Sequence, residues 1–505
     1  MPHELTRRGS ASLPFERGIS VVFSHVMSRR RAAVVVAACA GLALSSAGAG
    51  ATGSAALPIV QHHLPAQVEY LASADAAPGP AYGASIRRFT PVGIQGSYNL
   101  NSLYAAGYAG QGKTIAIIDS FGYEQAATDL KTFSQAYGLP LMCGMPDVSC
   151  APGMPTFDTL TFGNHQVKNP PPNSSPGQQA SNSWSLEVAL DIEYAHAIAP
   201  MANILVVATP TAETLGVQGF PNMMNAEQYV VDHHLADVVS QSFGAAEGSF
   251  GSVQSLENLR HAFVSGTQQG VTFVARTGDF GSTGSAKQPV GSGGTTLPTP
   301  QVGWPSSDPL VTAIGGTNLC TDVFTGLTVE STRPPVECQS NPGQREVGWN
   351  GSGGGFSQVF ERPSWQSALP AGSTSIPAGS RGVPDISMDA SCKTYLIVLD
   401  TAPGFGGYYG ACGTSAAAPM FAGIVAIADQ YAGKDLGQIN DDLYALANSP
   451  AAATALFDVT RGDNIQAGSG VPGYTAGPGW DAVTGVGTPN AAVLVPALAA
   501  LATAP

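Results

Sequence analysis

The sequence predicts an α/β protein with a mostly parallel central sheet and helices on both of its faces. Three observations predict it. Short runs rich in Val and Ile, at 114–119, 204–208, 238–242, 272–275, 311–314 and 395–399, are apolar throughout rather than alternating. That is the pattern of strands buried on both faces. Stretches of helical character at 184–198, 255–269 and 415–431 separate several of these runs, and strands alternating with helices build parallel sheets. Gly and Pro number 61 and 38, enough for long loops and too many for a helical bundle. In open sheets of this kind a site forms at the carboxyl ends of the strands.

The chain opens on an export address. Met27-Ser28-Arg29-Arg30-Arg31 is a basic start, Ala32 to Leu44 is apolar, and Ala47-Gly48-Ala49-Gly50-Ala51 offers small-residue cleavage sites. The apolar run is too short to span a bilayer, which needs about 20 residues. Residues 1–51 are therefore expected to be a signal, with Met27 as an alternative start. Residues 52–90, rich in Ala, Pro and His, read as a short linker or propeptide remnant, and 91–505 as one large domain. The segments 140–183 and 288–305 are rich in Pro, Gly and Asn and read as surface loops.

Charge excludes some partners. Of 505 residues 21 are Lys or Arg and 35 are Asp or Glu, a net charge of −14. Nucleic acid and anionic membrane surfaces are poor partners for such a chain. Seven cysteines are present. Cys39 falls in the signal, and the other six suit disulfides in an exported protein, with sequence-near pairing expected: Cys143 with Cys150, Cys320 with Cys338, Cys392 with Cys412. No repeat is visible, and no Cys-x-x-Cys or Cys/His cluster suggests zinc.

The chemistry begins at Gly413-Thr414-Ser415-Ala416-Ala417-Ala418-Pro419. A glycine turn, a hydroxyl and a run of small residues put Ser415 at a helix N-terminus, where backbone N–H groups favour a developing anion. Many serines in that position only cap a helix. A nucleophilic serine needs a base, yet none of the nine histidines begins a His-Gly-Thr helix start. The candidate base is in Glu187-Val188-Ala189-Leu190-Asp191. At this spacing the two carboxylates lie on one helix face, about 40° apart, where like charges destabilise a helix. Paired carboxylates share a proton and titrate together, so the pair can accept and return a serine's proton. Glu193, on the other side, reads as a solvated residue. Asp279, in Arg276-Thr277-Gly278-Asp279-Phe280-Gly281-Ser282 after the 272–275 strand, can donate to an oxyanion when protonated.

Together these motifs resemble the sedolisin, or serine-carboxyl peptidase, family over about residues 91–495. Val238-Val239-Ser240-Gln241-Ser242-Phe243-Gly244 is similar to its Ser-x-Ser-Trp-Gly strand, with Phe243 in place of Trp. Gly315-Gly316-Thr317, Gly353-Gly354-Gly355-Phe356-Ser357, Pro363-Ser364-Trp365-Gln366 and Arg381-Gly382-Val383-Pro384-Asp385 follow in family order. The resemblance implies a subtilisin-like fold and a secreted, monomeric, acid-acting endopeptidase working on protein or peptide substrates. Ser415 is then the nucleophile, Glu187 the base and acid, Asp191 its partner and Asp279 the oxyanion donor. Phe457-Asp458-Val459 and Ala476-Gly477-Pro478-Gly479-Trp480-Asp481 look like the family's calcium site. Asp458, Asp481 and the carbonyls of Val459, Gly477 and Gly479 would ligate one structural ion, with Asp463 left outside. Two departures are the short segment ahead of residue 91 and Phe243. The rival readings are a catalytically silent peptide-binding protein on the same fold, and a neutral subtilisin that the missing His motif disfavours.

Overall fold

A computed structural model describes residues 68–163, 176–212, 219–285 and 296–502; the expected signal over 1–51 and the linker as far as residue 67 lie outside them. In chain order the elements that position the site are β1 (Val68–Ser73), β2 (Ala81–Tyr82), β3 (Arg87–Phe89), β4 (Thr114–Ser120), α1 (Ala126–Tyr137), β5 (Phe157–Thr161), α2 (Pro176–Ile198) and β6 (Asn203–Thr209). There follow α3 (Phe220–Asp232), β7 (Val238–Gln241), α4 (His261–Gln268), β8 (Thr272–Arg276), β9 (Thr312–Leu319) and β10 (Glu346–Gly348). The series closes with β11 (Ile386–Asp389), β12 (Thr394–Asp400), β13 (Gly407–Ala411), α5 (Thr414–Ala432) and α6 (Ala491–Leu501).

The main sheet runs β10-β9-β8-β7-β4-β6-β5, with β11 also paired to β9. Its neighbours are parallel except β10, which joins antiparallel. Strand β4 shows why the apolar runs are continuous. Successive side chains point to opposite faces. Ile115 and Ile117 join one core with residues of α2 and α5, whereas Ala116 and Ile118 join a second with residues of α3 and α4. Phe263 meets Phe273 edge to face and Trp304 at a tilt, and Trp304 also packs at a tilt on Phe220, so truncating buried Phe273 to Ala costs about 3–5 kcal/mol.

Several expectations need correction. The loop at 140–183 contains β5, which extends the main sheet, and its last residues already belong to α2. The single helix at 255–269 is two, Val253–Glu257 and His261–Gln268. The linker reading fails over 68–89, because these residues form three strands of a second sheet ordered β1-β13-β12-β3-β2. β2 and β3 are too short to carry a visible period, and β1 and β3 take their partners from strands more than 300 residues away, while β2 pairs with β3. Strand β1 lies antiparallel to β13, which leads through Cys412 and Gly413 into α5. Three disulfides, Cys143–Cys150, Cys320–Cys338 and Cys392–Cys412, form in the expected pairing. No helix among the described residues is long and apolar enough to cross a membrane.

Candidate active site

Parallel register brings the site together. Ile118 of β4 pairs with Gln241 of β7, and Gln241 with Ala275 of β8. The next row, Asp119, Ser242 and Arg276, therefore stands at the carboxyl ends of three adjacent strands. Helix α2 crosses the same region and packs on β4 and α5. It presents Glu187 and Asp191, which are both buried.

Ser415, fully buried, sits in the first turn of α5 after Gly413 at φ 123°. This glycine is required twice over. The backbone lies in the left-handed half of the map, and a Cβ there would stand 2.9 Å from Asp279 Oδ2. Asp279 is bound to the same turn: Thr414 N–H and Thr414 Oγ1–H both donate to its Oδ1, at 2.7 and 2.9 Å. Gly278 N–H donates in turn to Thr414 Oγ1 at 2.9 Å. Ser242 Oγ donates to the Ser415 carbonyl at 3.2 Å, and its own carbonyl accepts from Arg276 Nε at 3.0 Å. The turn that carries Ser415 is thus tied to β7 and β8.

Electrostatics push protons onto the site. Burial raises Glu187 well above the ordinary carboxyl range. The Ser415 hydroxyl and Arg276 oppose that rise, while Asp119 and Asp279 add to it. Asp191 rises well above its usual value too, through burial and the nearby Asp119 and Glu187, against Ser242 and Arg276. Asp279 is also raised by burial, against Arg276 and the two Thr414 donors. Yet Ser415 Oγ, Glu187 Oε1 and both Asp191 oxygens are buried without a hydrogen bond of ordinary geometry. Proximity is present and the lone pairs are open.

The four catalytic candidates therefore share one place. Asp119 and Arg276 had no role assigned from the sequence, although the strand ends at 114–119 and 272–275 pointed to them. Phe243 packs in the aromatic core against Phe220. Glu193 overturns its expectation: it is fully buried and accepts from Leu399 N–H at 3.0 Å, because the far side of α2 faces β12 rather than water. His196 is packed, bonded to the Pro140 carbonyl at 2.9 Å.

The expected calcium ligands gather in the loops before α6. Asp458 Oδ2 accepts from Gly479 N–H at 3.1 Å, and Asp481 Oδ2 from Gly477 N–H at 3.0 Å. Neither carboxylate joins an ion pair among the described residues, and the carbonyls of Val459, Gly477 and Gly479 accept no hydrogen bond there. This all-oxygen set, with buried Asp481 lacking a cation, fits a hard ion such as calcium in its donor chemistry. No group of three or more His, Cys, Asp or Glu is placed to hold a metal among the described residues, so backbone oxygen and water would complete the shell.

Comparison with known proteins agrees with this architecture. A model of the Subtilase family matches residues 172–450. Kumamolisin of Bacillus sp. (strain MN-32) is 31% identical over 420 residues, covering 81% of this chain and 63% of that protein. Sedolisin of Pseudomonas sp. (strain 101) is 28% identical over 75% of this chain and 57% of its own length. Tripeptidyl-peptidase 1 of Homo sapiens is 28% identical over 64% and 53%. The chain thus spans less than two thirds of these relatives' lengths. The solved structure of Pseudomonas sedolisin, a serine-carboxyl proteinase complexed with pseudo-iodotyrostatin, superposes with a TM-score of 0.60 at 25% identity, over 82% of this chain and 98% of that one.

Proposed function

The chain belongs to the subtilase family, in its sedolisin branch, and from that premise we propose that it is a secreted, acid-acting serine endopeptidase. One observation carries the reading: a helix-terminal serine, two carboxylates on one helix face and a third carboxyl bonded to the serine's own turn meet in a single buried place. Among the described histidines, His196 is packed elsewhere against Pro140.

In the proposed reaction Ser415 Oγ attacks the scissile carbonyl carbon as its proton passes to Glu187. Asp191 shares that proton and keeps Glu187 basic enough to take it. The carbonyl oxygen gains the negative charge, and protonated Asp279 and the α5 N-terminus steady it. Collapse expels the amine, which leaves with the proton from Glu187. Water then repeats the sequence on the acyl-serine. Asp279 must keep its proton, so activity peaks in acid, while the proton that Glu187 and Asp191 share leaves the pair able to accept another. Calcium, held by Asp458, Asp481 and the carbonyls of Val459, Gly477 and Gly479, would pin the loops before α6 as a structural ion. The three disulfides support secretion, since such bonds persist in oxidising compartments.

The test is cleavage of denatured protein from pH 2 to 8 by the chain and by Ser415→Ala. Cleavage peaking below about pH 5 and lost in the variant supports the reading. Folded protein that cleaves nothing at any pH returns the silent peptide-binding alternative, and a neutral optimum returns the ordinary subtilisin.

A further inference from the structure

Beside Asp279 opens a cleft of about 450 Å³, part of it open to solvent. Its walls include Gly244, Ala245, Ala246, Gly278 and Gly303, which send no long side chain into the space. Only Arg276 and Asp279 among the lining residues are charged. Asp279 is engaged by Thr414. Arg276 is anchored through Nε to the Ser242 carbonyl, and its Nη1 lies 3.7 Å from where a Cβ on Gly278 would stand. A long cationic side chain is thus fixed along the wall of a cleft that glycines and alanines line on one part and Thr277, Phe280, Thr283 and Gln301 on the rest.

We infer that Arg276 selects substrates with a carboxylate side chain on the residue that donates the scissile carbonyl. The inference rests on the proposed reaction. A carbonyl oxygen held by Asp279 leaves its own Cα within about 4 Å, so the side chain of that residue enters the adjoining cleft. Small walls leave room for a Glu or Gln stem, and a guanidinium pairs with a carboxylate in a planar fork that an amide cannot match. Glu187, Asp191 and Asp279 also face Arg276 and act on it electrostatically. The guanidinium itself stays charged at every working pH. A substrate Glu ionises near pH 4.3, so its advantage over Gln grows from pH 3 to pH 5.

The experiment uses peptides that differ only in Glu, Gln, Leu or Lys at that position, with kcat/KM measured at pH 3, 4 and 5. Binding of N-acetyl tripeptide amides ending in Glu or Gln to Ser415→Ala is measured in parallel. A charge-assisted bond predicts a Glu preference over Gln of roughly 10- to 150-fold at pH 5, shrinking at pH 3. Arg276→Ala brings the ratio to about one and Arg276→Glu shifts preference towards Lys, whatever either does to the absolute rate. Equal binding of Glu and Gln peptides to Ser415→Ala, or an unchanged ratio in Arg276→Ala, overturns the inference. Should the chain bind the Glu peptide selectively but cleave nothing, the inference stands and the proposed reaction falls. The wild-type and Ser415→Ala measurements decide the matter even where Arg276 variants fail to fold.

Discussion

Two sets of buried carboxylates flank helix α2, one of them including Asp129 of α1 and Asp400 of β12, and their hydrogen bonding separates them. On the side facing β12, Glu193 accepts from Leu399 N–H. Asp400 accepts from Ser185 Oγ and Ala402 N–H, both at 2.7 Å, and Asp129 accepts from Thr401 N–H and Oγ1 at 2.8 and 2.6 Å. On the side facing α5, both Asp191 oxygens and Glu187 Oε1 have no ordinary hydrogen bond. Burial raises every member of both sets. The donors around the first set offset part of that rise, leaving Asp129 at about 6 and Asp400 at about 7. A saturated carboxylate holds the fold, whereas one with open lone pairs can accept a proton from a neighbour. The contrast teaches that burial alone does not mark a catalytic acid; unspent hydrogen-bonding capacity beside a hydroxyl does.

The largest effect should fall on the open set. Removing the proposed nucleophile as Ser415→Ala is expected to lower kcat by about 10⁵- to 10⁶-fold, with thermal unfolding little changed. Single-turnover assays and calorimetry on one sample check both halves. Asp279→Ala is expected to lose about 10²- to 10³-fold in kcat. Asp279→Asn donates at every pH, so its rate should decline less steeply above the acid optimum than that of the parent. A pH–rate profile with the same steepness in both would remove Asp279 as the oxyanion donor.

The saturated set should answer in stability instead. Asp129 and Asp400 have folded-state values above the ordinary 3.8. The stability they lend is whole below about pH 4 and is lost as pH rises through about 6 to 7. At about 1.4 kcal/mol per pKa unit, Asp129 withdraws roughly 3 kcal/mol and Asp400 roughly 4 kcal/mol by neutral pH. Denaturation midpoints should therefore fall from pH 4 to 8, and Asp400→Asn should flatten the fall while leaving kcat near its parent value. A midpoint that rises over this range contradicts the comparison. The smallest effect concerns the loops before α6. Calcium at a hundredfold excess over its Kd should add about 2.7 kcal/mol. Asp481→Asn should abolish the increment, read as the shift in Tm with and without chelator.

Much of the site was legible because its parts are local. The i, i+4 spacing of Glu187 and Asp191 puts them on one face of any helix they occupy. Gly413 before Ser415 announces a turn into a helix, and the apolar runs announce buried parallel strands. The three cysteine pairs were readable because each closes a short loop, at separations of 7, 18 and 20 residues. Glu193 shows where this fails. Its position on the helix was evident, but what lies opposite was not, and the neighbour that buries it, Leu399 of β12, is 206 residues away.

The sequence by itself determined the periodic and the local: strand and helix alternation, the shared face of two carboxylates, and the glycine turn ahead of Ser415. These follow from backbone geometry acting over a few residues. Only the tertiary structure decided that Asp119, Ser242 and Arg276 stand in one row, that residues 68–89 are strands rather than linker, and that Asp279 is held by the turn that presents Ser415. Each depends on registers and contacts between distant segments. Such contacts are set by how whole elements pack to bury their apolar faces, and no local pattern of residue types records that choice.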